Sequence, residues 1–260
     1  MGHADLTDFA RERSTMLKSF TAKIVTGFEE IGQLFADMRN MQDLSLSELG
    51  LIGIIQSNIL AEAPMAFPEL TSLRLESDFH HQPMFRLRNL TEDNNITDLH
   101  MEQVLIAENF CPLVAKFSNL RKLKLDFVEM GQAPGISDCT CNENPEEKHF
   151  SITDLSIHCS HLNHECLDFV VKSNRGLKKI FLNTFISNQT VALAINTSAN
   201  TIQKISLMFE NTPFQGIEST EVLTNLEELH MEKNKIGEEG LSRMQYPNLR
   251  KLSLIRCTVS

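Results

Sequence analysis

Six-residue stretches with apolar side chains at their first, fourth and sixth positions recur nine times between residues 41 and 254, and few folds are open to a chain built this way. They read MQDLSL at Met41, LTSLRL at Leu70, ITDLHM at Ile96, LRKLKL at Leu120, ITDLSI at Ile152, LKKIFL at Leu177, IQKISL at Ile202, LEELHM at Leu226 and LRKLSL at Leu249. Successive starts lie 29, 26, 24, 32, 25, 25, 24 and 23 residues apart. In the last two copies the pattern closes at its ninth position with Asn234 and Cys257. Apolar residues two apart point to the same side of a strand, so each stretch carries one apolar face. A unit this small cannot bury that face alone, whereas stacked units share a parallel sheet and a continuous core.

Between the stretches the spacing turns helical. HECLDFVVKSNRG clusters Leu167, Phe169, Val170 and Val171 and runs to Gly176, a helix-stop signal; TVALAINTSAN and GEEGLSRM follow the same rule. Upstream, Leu17, Phe20, Ile24, Phe28, Ile31, Phe35 and Met38 lie on one stripe of a helix, weakened by Gly27 and Gly32. The same region admits a strand through Leu17, Phe20 and Ala22, 24 residues before the next. Residues 1–40 are expected to form an amphipathic helical cap or a degenerate first repeat, and residues 41–260 a repeat domain of about nine units.

Composition narrows the class of partner. A net charge of -10 and a pI near 5.4 argue against a general polyanion binder, so no nucleic acid is expected. No apolar run reaches the roughly 18 residues that cross a bilayer, and MGHADLTDFARERS lacks the apolar centre of a secretory signal, so no membrane partner is expected. The expected location is cytoplasmic or nuclear. The six cysteines fall at unlike spacings and do not suggest a disulfide framework, and the sequons at Asn89, Asn95, Asn188 and Asn196 are read as chance.

Apolar first, fourth and sixth positions closed by Asn or Cys at the ninth are the signature of leucine-rich repeats. LNHECLDFVVKSNRGLKKIFL, ENFCPLVAKFSNLRKLKL and NKIGEEGLSRMQYPNLRKLSL resemble, more narrowly, the cysteine-containing and ribonuclease-inhibitor-like repeats of F-box and leucine-rich-repeat proteins, over about residues 41 to 260. The resemblance implies a right-handed α/β solenoid, a horseshoe with a parallel concave sheet and helices on its convex side. It also implies a substrate-recognition arm that holds a protein for ubiquitination, and a ligase adaptor docked through an F-box. Residues 1–40 lack the Leu-Pro opening of such a box, so the adaptor contact would need sequence not present here. The alternative is a ribonuclease-inhibitor-like or sensor-type binding protein with no ligase role. At the other end Leu252 and Leu254 lie close to Ser260, and more chain, a partner or a second copy is expected to cover that edge.

Residues between and after the inner apolar positions point away from the core. They include Arg74, His100, Lys124, His158, Phe181, Met208, His230 and Ile255, the residues expected to meet a protein partner on the concave face. Phe181, Met208 and Ile255 are apolar among polar neighbours, as hot spots are, although a neighbouring loop could also cover them. Asp98, Lys122, Asp154, Lys179, Lys204, Glu228 and Lys251 occupy equivalent places, an alternation that cross-strand pairing explains without a ligand. Arg121, Lys122, Lys124, Lys178 and Lys179 also form a basic cluster of the kind that receives acidic motifs or phosphopeptides.

The longest spacing holds VEMGQAPGISDCTCNENPEEKHF, an acidic loop rich in chain breakers. Cys139, Cys141 and His149 supply thiolate and imidazole there, with His158, Cys159, His161, His164 and Cys166 following, but the spacing fits no common zinc motif and no metal or cofactor is expected. No phosphate loop or Gly-x-Ser-x-Gly elbow is present, and HECLD has Asp168 where a zinc helix needs its second histidine. The chain is expected to bind rather than to catalyse.

Overall fold

The computed structural model describes residues 16–23, 40–47, 69–77, 84–85, 94–106, 114–130, 150–158, 164–183, 188–208, 213–214, 222–236, 241 and 245–259. All nine expected stretches are strands, and a tenth precedes them: β1 (Ser19–Lys23), β2 (Asp43–Ser47), β3 (Ser72–Glu76), β4 (Asp98–Glu102), β5 (Lys122–Asp126), β6 (Asp154–His158), β7 (Lys179–Asn183), β8 (Lys204–Met208), β9 (Glu228–Glu232) and β10 (Lys251–Ile255). β1 pairs parallel to β2, Ser19 opposite Asp43, so residues 19–23 are strand rather than helix. The remainder of the helical stripe lies outside the described residues. The chain is a leucine-rich-repeat solenoid, each long strand parallel to its neighbours and one repeat on in sequence.

Contacts divide the chain into two compact units. The first spans residues 1–120 and 128–137 and contains β1 to β4, paired in sequence order. The second spans 121–127 and 138–260 and contains β5 to β10, again in sequence order. Parallel neighbours need a crossover between them, and two of these in the second unit are the helices α1 (His164–Lys172) and α2 (Asn188–Thr197). Leu167, Val170 and Val171 of α1 and Val191, Ala194 and Ile195 of α2 are buried, while Thr190 Oγ1 donates to Asp168 Oδ1 at 2.6 Å between the helices.

The triplet residues form the core as the spacing requires. Leu155, Ile157, Ile180, Leu182, Ile205, Leu207, Leu229 and Met231 are 0–2 % exposed, and burial of each such side chain is worth about 1.5–3 kcal/mol. Leu252 and Leu254 hold the same places in β10 yet are 47 % and 42 % exposed, because among the described residues no strand packs on their far side. The contrast shows that burial comes from the neighbouring repeat and not from the strand itself.

Register is set where each strand begins. The Arg121 carbonyl accepts from the amides of Thr153 and Asp154 at 2.8 and 3.1 Å, and Thr153 O accepts from Lys178 and Lys179 at 2.7 and 2.9 Å. Lys178 O, Gln203 O and Glu227 O do the same for the next three strands. At the other end the chain leaves the sheet through left-handed residues that are not glycine: Gln103, Phe127, Lys233 and Arg256, at φ of 51 to 56°. The Phe127 and Lys233 amides still donate to His158 O and Ile255 O at 2.8 and 2.9 Å, which holds these turns against the roughly 1–2 kcal/mol such a conformation costs.

Behind that turn sits the ninth position. Asn234 Nδ2 donates to Leu207 O at 3.1 Å and Glu232 O at 3.0 Å, and Cys257 Sγ meets the equivalent Met231 O and Ile255 O at 3.4 and 3.5 Å. Asn234 is buried, so its amide ties one repeat to the previous one where water cannot substitute. Asn234→Ala is expected to lower unfolding free energy by about 1–3 kcal/mol, read as a lower urea midpoint. Asn234→Val, which fills the space as Val104 and Val128 do at their own ninth positions, should recover part of that loss. Equal midpoints for wild type and the alanine variant would show that these two bonds hold nothing.

Candidate functional site

On the open face of the second unit the strands place three residues each, in register, in three rows across the sheet. The row at the strand starts is Lys122, Asp154, Lys179, Lys204, Glu228 and Lys251. The middle row is Lys124, Ser156, Phe181, Ser206, His230 and Ser253. The far row is Asp126, His158, Asn183, Met208, Glu232 and Ile255.

The first two rows enclose a hollow of about 520 Å³. Its shape follows from residue size. Phe181 stands in the middle row with Ser156 and Ser206 as its direct neighbours, and all three line the hollow, which larger side chains in the serines' places would narrow. The strand backbone at Leu155, Ile180 and Leu229, whose side chains turn to the core, forms the floor, and lysines form the rim.

The rim is partly self-paired. Lys179 Nζ lies 3.1 Å from Asp154 and Lys204 Nζ 3.0 Å from Glu228. Four lysines against two carboxylates leave this row at +2, and Lys179 and Lys204 are adjacent like charges, each turned to the carboxylate on its outer side. Glu228 has its carboxyl held below the usual carboxylate range, first by the hydrogen bond from Lys204, then by the charge of Lys204, with Lys251 adding to it.

The expected partner-binding residues separate into different settings. Arg74 and His100 lie in the first unit, where Arg74 meets Glu76 at 3.1 Å and Glu102 at 3.6 Å, and His100 meets Glu102 at 3.6 Å. In the second unit Lys124, Phe181 and His230 line the hollow, while His158, Met208 and Ile255 belong to the far row. Lys124 reaches Asp126 at 2.6 Å. His158 lies 3.9 Å from Asp126, with its ring 4.8 Å from Phe127 and 6.1 Å from Phe181. His230 lies 3.9 Å from Glu232, Met208 is half-buried and Ile255 is exposed.

Lys122, Lys179, Lys204 and Lys251 complete the hollow, although their sequence pattern is fully explained by cross-strand pairing. The signal that links them to a site is the period of two, which puts the strand-start residues on the same side as Phe181. Arg121 and Lys178, the other members of the sequence cluster, are not among the lining residues. Cys139, Cys141 and His149, with Cys159 and His161, lie outside the described residues, and Cys257 is a free thiol.

No family model matches the chain, and no curated protein does either. Among solved structures, an internalin of Listeria monocytogenes, inlF, aligns over 96 % of this chain and 84 % of that one, with a TM-score of 0.43 and 13 % identity. That likeness carries no residue or partner across.

The pairing of Glu228 with Lys204 predicts a pH response. Because the Glu228 pKa is depressed in the folded chain, the stabilisation from its pairing is complete above the ordinary carboxylate pKa and is lost as pH falls through the lowered value. In Lys204→Met the Glu228 carboxyl should titrate at a higher pH than in wild type, followed by the carbon chemical shift of its side-chain carboxyl. An unmoved midpoint would mean that Lys204 does not hold that charge.

Proposed function

We propose that the protein is a protein-binding scaffold and that the open face of its second unit carries the binding. The observation that supports this most is the hollow around Phe181, an aromatic ring half-buried between two serines and rimmed by lysines. An aromatic anchor set in a ring of polar groups is the composition of interface hot spots. Six adjacent strands also present a rigid surface whose side chains are placed before a partner arrives, which reduces the ordering that binding must offset.

The finer reading is the substrate-recognition arm of an F-box-type ubiquitin ligase receptor, which the resemblance of the repeats supports. The ribonuclease-inhibitor-like reading shares the same surface and needs no adaptor. Co-purification of the full-length gene product with the ligase adaptor and cullin separates them. Recovery of both supports the ligase role, and recovery of bound protein without either removes it.

The surface itself is tested by paired affinity captures with wild type and with Phe181→Ala plus Met208→Ala, read by quantitative mass spectrometry. Truncating an interface anchor commonly costs 2 kcal/mol or more, roughly a thirtyfold loss of affinity, so specific partners should fall to background with the double variant. Equal recovery by both baits would remove these residues from the interface.

A further inference from the structure

The reading of the open face as a protein-binding surface leaves the chemistry of the partner open, and the hollow narrows it. We infer that the second unit takes an extended acidic peptide, with a carboxylate side chain over Lys179 and Lys204 and an apolar side chain two residues away against Phe181. The inference rests on the proposed protein-binding function.

Three features support it. The first is the adjacency of Lys179 and Lys204, Cα partners in neighbouring strands about 4.8 Å apart. Two ammonium groups side by side repel, and each is drawn outward, Lys179 to Asp154 and Lys204 to Glu228. An anion placed over the gap between them meets two cations at once.

The second feature is distance. Phe181 lies two residues beyond Lys179 on the same face of β7, about 6.6 Å along the strand. An extended peptide has the same repeat between residues i and i+2. A partner strand running along β7 therefore presents an acidic residue to the lysines and an apolar one to the ring. Ser156 and Ser206 are small, line the same hollow as that ring and do not fill the volume that the second of these would enter.

The third feature is what flanks the lysines, and it favours carboxylate over phosphate. Asp154 and Glu228 both line the hollow and would repel a group carrying nearly two negative charges more strongly than a monoanion. No arginine lines it, so the planar fork that grips carboxylate or phosphate in two-point fashion is missing among the lining residues and the lysines act as point charges. The rim pairs are also cheap to rearrange. Lys179 and Lys204 are 60 % and 47 % exposed at the side chain, and exposed pairs of this kind are weak, so their ammonium groups can turn to a partner.

The test uses a fluorescein-labelled peptide, Gly-Ser-Glu-Ser-Phe-Ser-Gly, titrated with the whole chain and read by anisotropy. Saturable binding is expected, weakening as salt rises and falling at least tenfold when the peptide's Glu becomes Gln. Lys179→Glu combined with Lys204→Glu should abolish it, with circular dichroism showing an intact fold. Lys172→Glu combined with Arg175→Glu, an equal charge change away from the hollow, should leave it unchanged. Equal binding of the Gln peptide, tighter binding of a phosphoserine peptide, or no binding of the Glu peptide at millimolar protein would each overturn the inference. In the affinity captures, partners lost by the Phe181 and Met208 double variant but kept by the Lys179 and Lys204 reversal would also overturn it, while leaving the protein-binding function standing. Captures that yield no specific partner with wild type would overturn that function instead.

Discussion

One carbonyl oxygen of the preceding strand accepts two consecutive amides at the start of every later strand of the second unit, and the open face is organised by that bifurcated bond. Arg121, Thr153, Lys178, Gln203 and Glu227 supply the oxygens. A shift of one residue in any strand would break both bonds and turn the triplet leucines outward, so core burial and hydrogen bonding enforce the same register. Only under that constraint do Lys179 and Lys204 become neighbours, and only then do Ser156 and Ser206 stand on either side of Phe181.

The face contributes little to the stability that positions it. The triplets behind it are 0–2 % exposed and each is worth about 1.5–3 kcal/mol, whereas an exposed ion pair such as Lys179–Asp154 contributes about 0–1 kcal/mol. The core therefore fixes where the rim residues stand, and the rim residues remain replaceable in sequence without threat to the fold. Binding chemistry can change on this scaffold at small structural cost, which is a reason to argue function from these side chains and not from the repeat architecture.

The strands were legible because their evidence is local: three apolar residues at fixed offsets fix type, face and position together. Ser19–Lys23 was ambiguous because Leu17 and Phe20 satisfy both a helical and a strand reading, and only the pairing with Asp43–Ser47 resolves it. The left-handed turns at Gln103, Phe127, Lys233 and Arg256 carry no sequence signal, since no glycine marks them, and those at Phe127 and Lys233 are held by amides bonded across to the next strand. The place of Phe181 on the open face was legible from alternation alone. The hollow was not, because it depends on the smallness of serines 25 residues away on each side and on lysines whose pairing already had a sufficient explanation.

Equivalent register positions carry different chemistry in the two units. On the described open face of the first, Asp43, Glu76, Asp98 and Glu102 stand against Arg74, which is met by Glu76 and Glu102. An arginine between two carboxylates has its charge met internally, and a partner carboxylate brought there would face like charge. In the second unit the strand-start row has a surplus of cations beside an apolar ring and an open volume. A net charge of -10 thus misdescribes the surface a partner would meet, because acidity summed over 260 residues does not reach into a hollow whose nearest groups are lysines. The same repeat, through the side chains that its register aligns, presents an arginine already met by carboxylates at one place and a surplus of lysines at another.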